Sequence, residues 1–362
     1  MILGLSVLRN SEWIVNRRRA VQLALLLLLL SLHYAPANAD STEQRSVDAL
    51  AHLLVSPVHL TKQPSTEALQ QLQPYCFQDV RFGLDDRPET LATTFTFPNR
   101  APTNRGHANG SGDSCPTRLS PTGPGHPLVV LIPGLGAPRA AMLRYATLAA
   151  ALGLSSVSVD LPAQGESTGA HIGFGPLEAA AVEALINKLD DRWPGAAGQI
   201  VIVGVSYGAA VALHVAALDK YVIGTVAIAP FSDVESVIPR FAREDPRTAA
   251  MDLDGMDFGP VLSQASELVG YDLVASSPLN IVGNIHAPVL FVAGGDDEIA
   301  PSSDVKALCG KAPRGLLWEA RGAAHLSLVL NLDRLLPVIK EWLSSLSGEA
   351  GSDAERPWRT CD

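Results

Sequence analysis

From residue 128 onward, short unbroken apolar runs alternate with longer segments of helical spacing, and this rhythm constrains the fold more than any other feature of the chain. Runs at 128–132, 200–203, 222–229, 289–293 and 316–319 have strand length and are rich in Val, Ile and Leu, and 155–160, with Val157 and Val159 among serines, has the same length. Helical segments lie at about 138–152, 176–191 and 207–218, and one follows each of the last two strands, the final one at about 333–346. Strands alternating with helices build βαβ units, so the spacing predicts an α/β fold with a mostly parallel central sheet flanked by helices. Such strands are covered on both faces, which is why their apolar runs are continuous. Residues 231–285 break the rhythm. They separate two core strands and carry short helical pieces with Phe241, Met251, Met256, Phe258, Leu268 and Tyr271. This stretch reads as an inserted helical cap.

Upstream of the rhythm the chain has a different character. Arg17, Arg18 and Arg19 precede an apolar run from Ala20 to Leu32, and Ala37-Asn38-Ala39 follows as a small-x-small pattern. That order of basic, apolar and small residues reads as a signal peptide over 1–39. The apolar run is short for a membrane span of about 20 residues, so no stable span is expected after cleavage. An uncleaved membrane anchor is the competing reading. Residues 40–74 read as a weakly amphipathic helical lead-in, with Val47, Leu50, Leu53 and Leu54 at helical spacing. Segments 79–82 and 93–97 read as two strands joined by a polar turn around Asp85-Asp86. Residues 98–127 are dense in Gly, Pro, Asn and Ser and read as a long surface loop.

The four cysteines, Cys76, Cys115, Cys309 and Cys361, all follow the signal segment. An even count in an exported chain points to disulfides. Of the three possible pairings, Cys76–Cys115 and Cys309–Cys361 are favoured, because each would pin a loop-rich segment to its neighbour. No C-x-x-C or H-E-x-x-H spacing is present, so no metal site is expected. Asp252-x-Asp254-Gly255-x-Asp257 lacks the spacing and distal Glu of a calcium loop and reads as a solvated turn. The formal net charge of −10 argues against nucleic acid as a partner. The tail, 347–362, reads as loose except at Cys361.

The strongest chemical signal is Gly204-Val205-Ser206-Tyr207-Gly208, directly after a strand and directly before a helix. A serine on so tight a turn has its Oγ pushed out at the edge of the sheet, and flanking glycines avoid clashes in the turn. A neutral serine is a poor nucleophile and requires a base. Gly294-Gly295-Asp296-Asp297-Glu298-Ile299-Ala300-Pro301 closes a strand after the insertion, and Gly322-Ala323-Ala324-His325 follows the last strand. Together these three segments resemble the α/β-hydrolase family, in which serine, acid and histidine follow in that chain order. The resemblance covers about 75–346 and implies Ser206 as nucleophile, Asp297 as acid and His325 as base. Of nine histidines, only His214 and His286 also follow Ser206, and both precede Asp297. Asp233 is the alternative acid, while Asp296 and Glu298 read as a solvated turn. For the oxyanion hole the resemblance implies the amide of Tyr207 and, from Ile132-Pro133-Gly134-Leu135-Gly136, the amide of Leu135. Residues 160–167 look like a family segment but depart from it at Ala163 and Gln164. His171, Phe174 and the aromatic residues of 231–285 are either pocket-lining or core.

The implied activity is a serine hydrolase acting on a small-molecule carboxylic ester, with no cofactor. A peptidase or amidase of the same fold is the nearest rival, since the segment from Ser277-Pro278-Leu279-Asn280 to Ala287-Pro288 resembles both branches. A peptidase would call for an acidic cluster to hold an amino terminus, for which Glu235, Glu244, Asp245, Asp252 and Asp254 are available. A catalytically silent binding protein is the rival of a different class. Oligomeric state is not readable from the sequence.

Overall fold

The computed structural model describes residues 42–58, 75–85, 87–98, 119, 123, 126–245, 247–248, 251–346 and 356–361. The expected signal peptide, most of the loop at 98–127 and Cys115 of the expected Cys76–Cys115 bridge lie outside the described residues. Among the described residues the strands are β1 (Cys76–Gly83), β2 (Thr90–Phe97), β3 (Leu128–Ile132), β4 (Ser156–Val159), β5 (Ile200–Val205), β6 (Val222–Ile228), β7 (Val289–Gly294), β8 (Gly315–Ala320) and β9 (Arg359–Thr360). They form one sheet in the order β1-β2-β4-β3-β5-β6-β7-β8-β9. The six strands from β4 to β8 in that order are parallel. β1, β2 and β9 pair antiparallel at the two edges.

The helices are α1 (Thr42–Val55), α2 (Leu143–Ala151), α3 (Pro176–Arg192), α4 (Tyr207–Leu218), α5 (Val234–Glu244), α6 (Gly259–Val269), α7 (Pro278–Ile281), α8 (Ser302–Lys311), α9 (His325–Leu330) and α10 (Leu332–Leu346). A short 3-10 turn, Arg139–Met142, leads into α2. Within each central strand, alternate residues serve opposite faces, as the period of two requires. Leu128, Val130 and Ile132 of β3 join one apolar cluster with residues of α3, α4 and α8. Val129 and Leu131 join a second with residues of α2 and α10. Both sets are fully covered, so the continuous apolar runs follow from two-sided burial.

One segment departs from the sequence reading, and the expected lead-in helix is found with a place in the core. The lead-in helix is part of the main core: Leu50 and Ala51 of α1 are fully buried, and α1 packs against α6 of the 231–285 insertion. The helical spacing of its leucines therefore faces the body of the protein. The loose-tail reading is corrected for residues 356–361. Arg359–Thr360 adds an edge strand against Leu316 and Leu317 of β8, and Cys361 is bonded to Cys309 on α8. A two-residue strand offers no apolar pattern from which to read it, and the bridge supplies the constraint instead. The Cys309–Cys361 pairing is the expected one. The insertion is also continuous with the core: Val234, Val237 and Ile238 of α5, and Val261 and Leu262 of α6, share a cluster with the sheet. No helix of the described residues is long and apolar enough to cross a membrane.

Candidate active site

In a parallel sheet the carboxyl ends of all strands open on one edge, and the loops that leave them meet there. β5 ends at Val205, and Ser206 turns the chain directly into α4. Ser206 adopts φ 53° and ψ −117°, a conformation that L residues avoid and that costs about 1–3 kcal/mol. The turn is held because the Ser206 amide donates to Ile228 O at 2.7 Å and the Ser206 carbonyl accepts from Ala209 N at 2.9 Å. The two motif glycines are sterically required. A Cβ on Gly204 would lie 2.2 Å from Gly208 O, and one on Gly208 would lie 2.3 Å from Pro133 O.

β7 delivers the acid loop and β8 the histidine loop. The two loops are laced together: Gly295 N donates to Ala320 O at 3.0 Å, and Asp296 N donates to Ala323 O at 3.0 Å. His325 opens α9. Its Nδ1 lies 2.8 Å from Asp297 Oδ2 and its Nε2 lies 2.9 Å from Ser206 Oγ. A carboxylate only accepts, so Nδ1 carries the proton, Nε2 is left as acceptor, and the serine hydroxyl donates to it. The Asp297 side chain is fully buried. Its second oxygen accepts from the amides of Ile299 at 3.0 Å and Ala300 at 2.8 Å. Both carboxylate oxygens are thus occupied, which fixes the orientation of the group. The arrangement can remove the serine proton while the imidazolium that forms rests against a buried carboxylate.

The competing acids separate cleanly. Asp233 is the N-cap of α5, accepting from Ser236 N at 2.9 Å. Asp296 and Glu298 are exposed. His214 lies on α4 with its ring buried and Nε2 against Gly175, away from Ser206. Burial pushes its pKa down to about 4, partly opposed by a hydrogen bond with the Ser276 backbone. Of the five acidic residues that a peptidase could gather, Asp245 pairs with Arg247 at 2.6 Å, Asp252 accepts from the Asp254 amide, and Glu235 and Glu244 are exposed.

The loop after β3 comes close to the serine: a Cβ on Gly134 would lie 3.6 Å from Ser206 Cβ. Leu135 follows, half-buried. Gly136 N donates to Gln164 Oε1 at 2.8 Å, so the residue that departs from the family segment fastens this loop. Arg139, at the end of the loop, is anchored by the fully buried Asp160, whose two oxygens accept from Arg139 N and Arg139 Nη1, each at 2.6 Å. Tyr207 is the first residue of α4, and its amide has no carbonyl within the helix to bond. The loop after β3 and this helix start both adjoin Ser206.

Phe174, read from the sequence as pocket-lining or core, is a core residue, while Glu178 escaped the sequence reading. Phe174 is buried, with φ 53°, and its ring meets Tyr207 edge-on at 5.6 Å. The Tyr207 hydroxyl donates to Glu178 Oε1 at 2.7 Å, and Glu178 is fully buried. The signal for it was present: Glu178 stands three residues after Gly175 at a helix start, the spacing at which a glutamate bonds back to the capping residue's amide. Among the described residues, no group of three or more His, Cys, Asp or Glu could hold a metal ion.

The sequence profile of the Alpha/beta hydrolase family matches residues 129–337. No curated protein sequence matches the chain. Among solved structures, an esterase of Pyrococcus furiosus superposes with a TM-score of 0.56 at 18% identity, covering 82% of this chain and 97% of that one. Est1E of Butyrivibrio proteoclasticus, solved with ferulic acid bound, gives 0.51 at 17% identity, covering 75% and 98%. A proline iminopeptidase of Mycobacterium smegmatis gives 0.50 at 13% identity, covering 75% and 99%. At these identities the structural likenesses speak to fold, and the profile match spans more than half of the sequence: the chain belongs to the alpha/beta hydrolase family.

Proposed function

We propose that the protein is an exported serine hydrolase that cleaves carboxylic esters through an acyl-enzyme on Ser206. The observation that carries this reading is the continuous chain Ser206 Oγ, His325 Nε2, His325 Nδ1 and Asp297 Oδ2, with links of 2.9 and 2.8 Å. In the reaction, Ser206 Oγ bonds to the carbonyl carbon as His325 Nε2 takes the hydroxyl proton. The amides of Leu135 and Tyr207 receive the developing oxyanion. His325 returns the proton to the leaving alcohol oxygen as the C–O bond breaks. Water then attacks the acyl-enzyme, giving its proton to His325, and the carboxylic acid and free serine are released. Asp297 holds the imidazole tautomer and offsets its transient charge. The scheme uses no metal or cofactor.

An ester with an apolar part fits the surroundings. Leu326 and Leu330 are 68% and 72% exposed on the helix that begins with His325. They offer exposed apolar surface on the helix that carries His325. Esterases among the structural neighbours support the same class, and the iminopeptidase neighbour keeps an amide substrate as the second reading. Export is proposed from Arg17 to Ala39, and the Cys309–Cys361 bridge suits an oxidising compartment. The test is hydrolysis of a p-nitrophenyl ester series, from acetate to long acyl chains, by the mature protein beside Ser206→Ala. Turnover that vanishes in the variant is expected. Turnover unchanged in the variant sinks the assignment of Ser206, and no ester turnover with Ser206 still phosphonate-reactive moves the substrate to an amide.

A further inference from the structure

We propose that Glu178 and the Tyr207 hydroxyl are positioning residues for this site, a buried clamp that holds the residue after the nucleophile, and that Tyr271 ties the 231–285 insertion to the same clamp. The proposal rests on the reading of Ser206 as nucleophile and of the Tyr207 amide as an oxyanion donor.

Most buried tyrosine hydroxyls find a hydrogen-bond partner. Tyr207 finds two. Its hydroxyl donates to Glu178 Oε1 at 2.7 Å and accepts from the Phe174 amide at 2.8 Å. Both hydrogen-bonding capacities are therefore used, and the side chain has one orientation. Glu178 Oε1 also accepts from Gly173 N at 2.6 Å, and Oε2 accepts from Gly175 N at 3.0 Å. One carboxylate thus gathers three donors: two loop amides and the phenol. Among the described residues no lysine or arginine pairs with Glu178, and burial pushes its carboxyl pKa up against the pull of those hydrogen bonds. A packed core alone has no use for such a group; its geometry answers to the donors around it.

The loop it holds is conformationally costly. Phe174 has φ 53° and Gly175 has φ 137°, and consecutive positions of this kind persist only where the surroundings over-determine them. The Gly173 carbonyl closes the set by accepting from the Tyr271 hydroxyl, which comes from the segment just after α6. The path from the insertion to the elbow therefore runs through Tyr271, the Gly173–Gly175 backbone, Glu178 and Tyr207. Tyr207 is bonded directly to Ser206, so a rotation of its backbone re-aims both the amide and the serine. Small displacements matter at such a site: an ångström of misplacement costs on the order of 10²-fold in rate.

The test compares Tyr207→Phe, Glu178→Ala and Glu178→Gln with wild type on one p-nitrophenyl ester, together with the rate of Ser206 labelling by a fluorophosphonate. The phosphonate oxygen uses the same amides, so labelling reads their position independently of ester turnover. The expected result for Tyr207→Phe and Glu178→Ala is a kcat lowered about tenfold or more, KM within about twofold, and labelling slowed in parallel. Glu178→Gln, which keeps an acceptor for the phenol, is expected to recover part of the loss. Folded variants with wild-type kcat and labelling rate would overturn the clamp and leave it a matter of stability alone. If those variants do not fold, Tyr271→Phe, which gives up one half-buried hydroxyl, is expected to lower both rates several-fold, and unchanged rates there overturn the proposal equally. A wild-type protein that the phosphonate does not label refutes the hydrolase reading itself, and the clamp with it.

Discussion

Replacing Asp297 by asparagine changes one oxygen for an NH2 group at constant shape, and the local geometry dictates which oxygen is lost. Oδ1 accepts from two backbone amides, Ile299 and Ala300, and Oδ2 accepts from one imidazole. Turning the NH2 group toward the amides would oppose two donors, at about 1–3 kcal/mol for each unmet buried group. Turning it toward His325 opposes only one, and the imidazole can relieve that clash by moving its proton to Nε2. The second arrangement is the cheaper, so Asp297→Asn should fold normally with His325 in the wrong tautomer. An Nε2 that carries a proton cannot take one from Ser206. The expected loss is about 10⁴-fold in kcat, or about 5.4 kcal/mol at 1.36 kcal/mol per tenfold, with KM little changed. The assay is kcat and KM on a p-nitrophenyl ester, with thermal melting as the control for folding. Asp233→Asn, which alters only the cap of α5, serves as the comparison and should keep its kcat. Asp297→Asn with more than a tenth of wild-type kcat would refute the reasoning, as would an equal loss in Asp233→Asn.

Three further outcomes follow from the packing. A methyl on Gly208 would meet Pro133 O and Ile132 O at 2.3 and 2.4 Å, backbone atoms that cannot move aside, whereas one on Gly134 meets its neighbours at 3.5 Å or more. Gly208→Ala should lose about 3 kcal/mol or more in denaturant melts while Gly134→Ala melts near wild type; equal stability of the two contradicts the elbow geometry. His214 is neutral when folded because burial holds its pKa at about 4, below the ordinary imidazole value. As pH falls from about 6.5 to 4 the unfolded chain binds a proton that the folded one refuses, so stability drops by up to about 3 kcal/mol. Urea midpoints at neutral pH and at pH ~4.5 should show a shallower drop for His214→Leu; an identical drop in both proteins contradicts the assignment. The Cys309–Cys361 bridge closes a separation of 52 residues. By chain entropy it stabilises by about 4 kcal/mol, so Cys361→Ala should lower Tm by roughly 6 °C without altering kcat at 25 °C; an unchanged Tm would show that the bridge contributes little.

What could be read from the sequence is what local chemistry dictates. The elbow needs its glycines within four residues of each other, and the parallel strands announce themselves by two-sided burial, as β3 and β5 do. The family resemblance, through chain order and loop context, singled out His325, and its Nε2 lies 2.9 Å from Ser206 Oγ. The acid was different: Asp233 and Asp297 both follow core strands, and only the tertiary contact at 2.8 Å distinguishes the residue beside His325 from a helix cap. Features that depend on distant partners were not legible. β9 exists because β8 has an open edge and Cys309 holds the next residue. The role of α1 in the core depends on α6, some two hundred positions later. The bond of Glu178 back to Gly175 has a local signature, but nothing near it announces that Tyr207 will bring a phenol to its carboxylate.

Whether Ser206 is an activated nucleophile is decided by stoichiometric labelling of the protein with a fluorophosphonate followed by peptide mapping. One adduct per chain is expected, located on Ser206, formed rapidly in wild type and far more slowly in His325→Ala. No adduct, an adduct elsewhere, or labelling indifferent to His325 would contradict this role for Ser206.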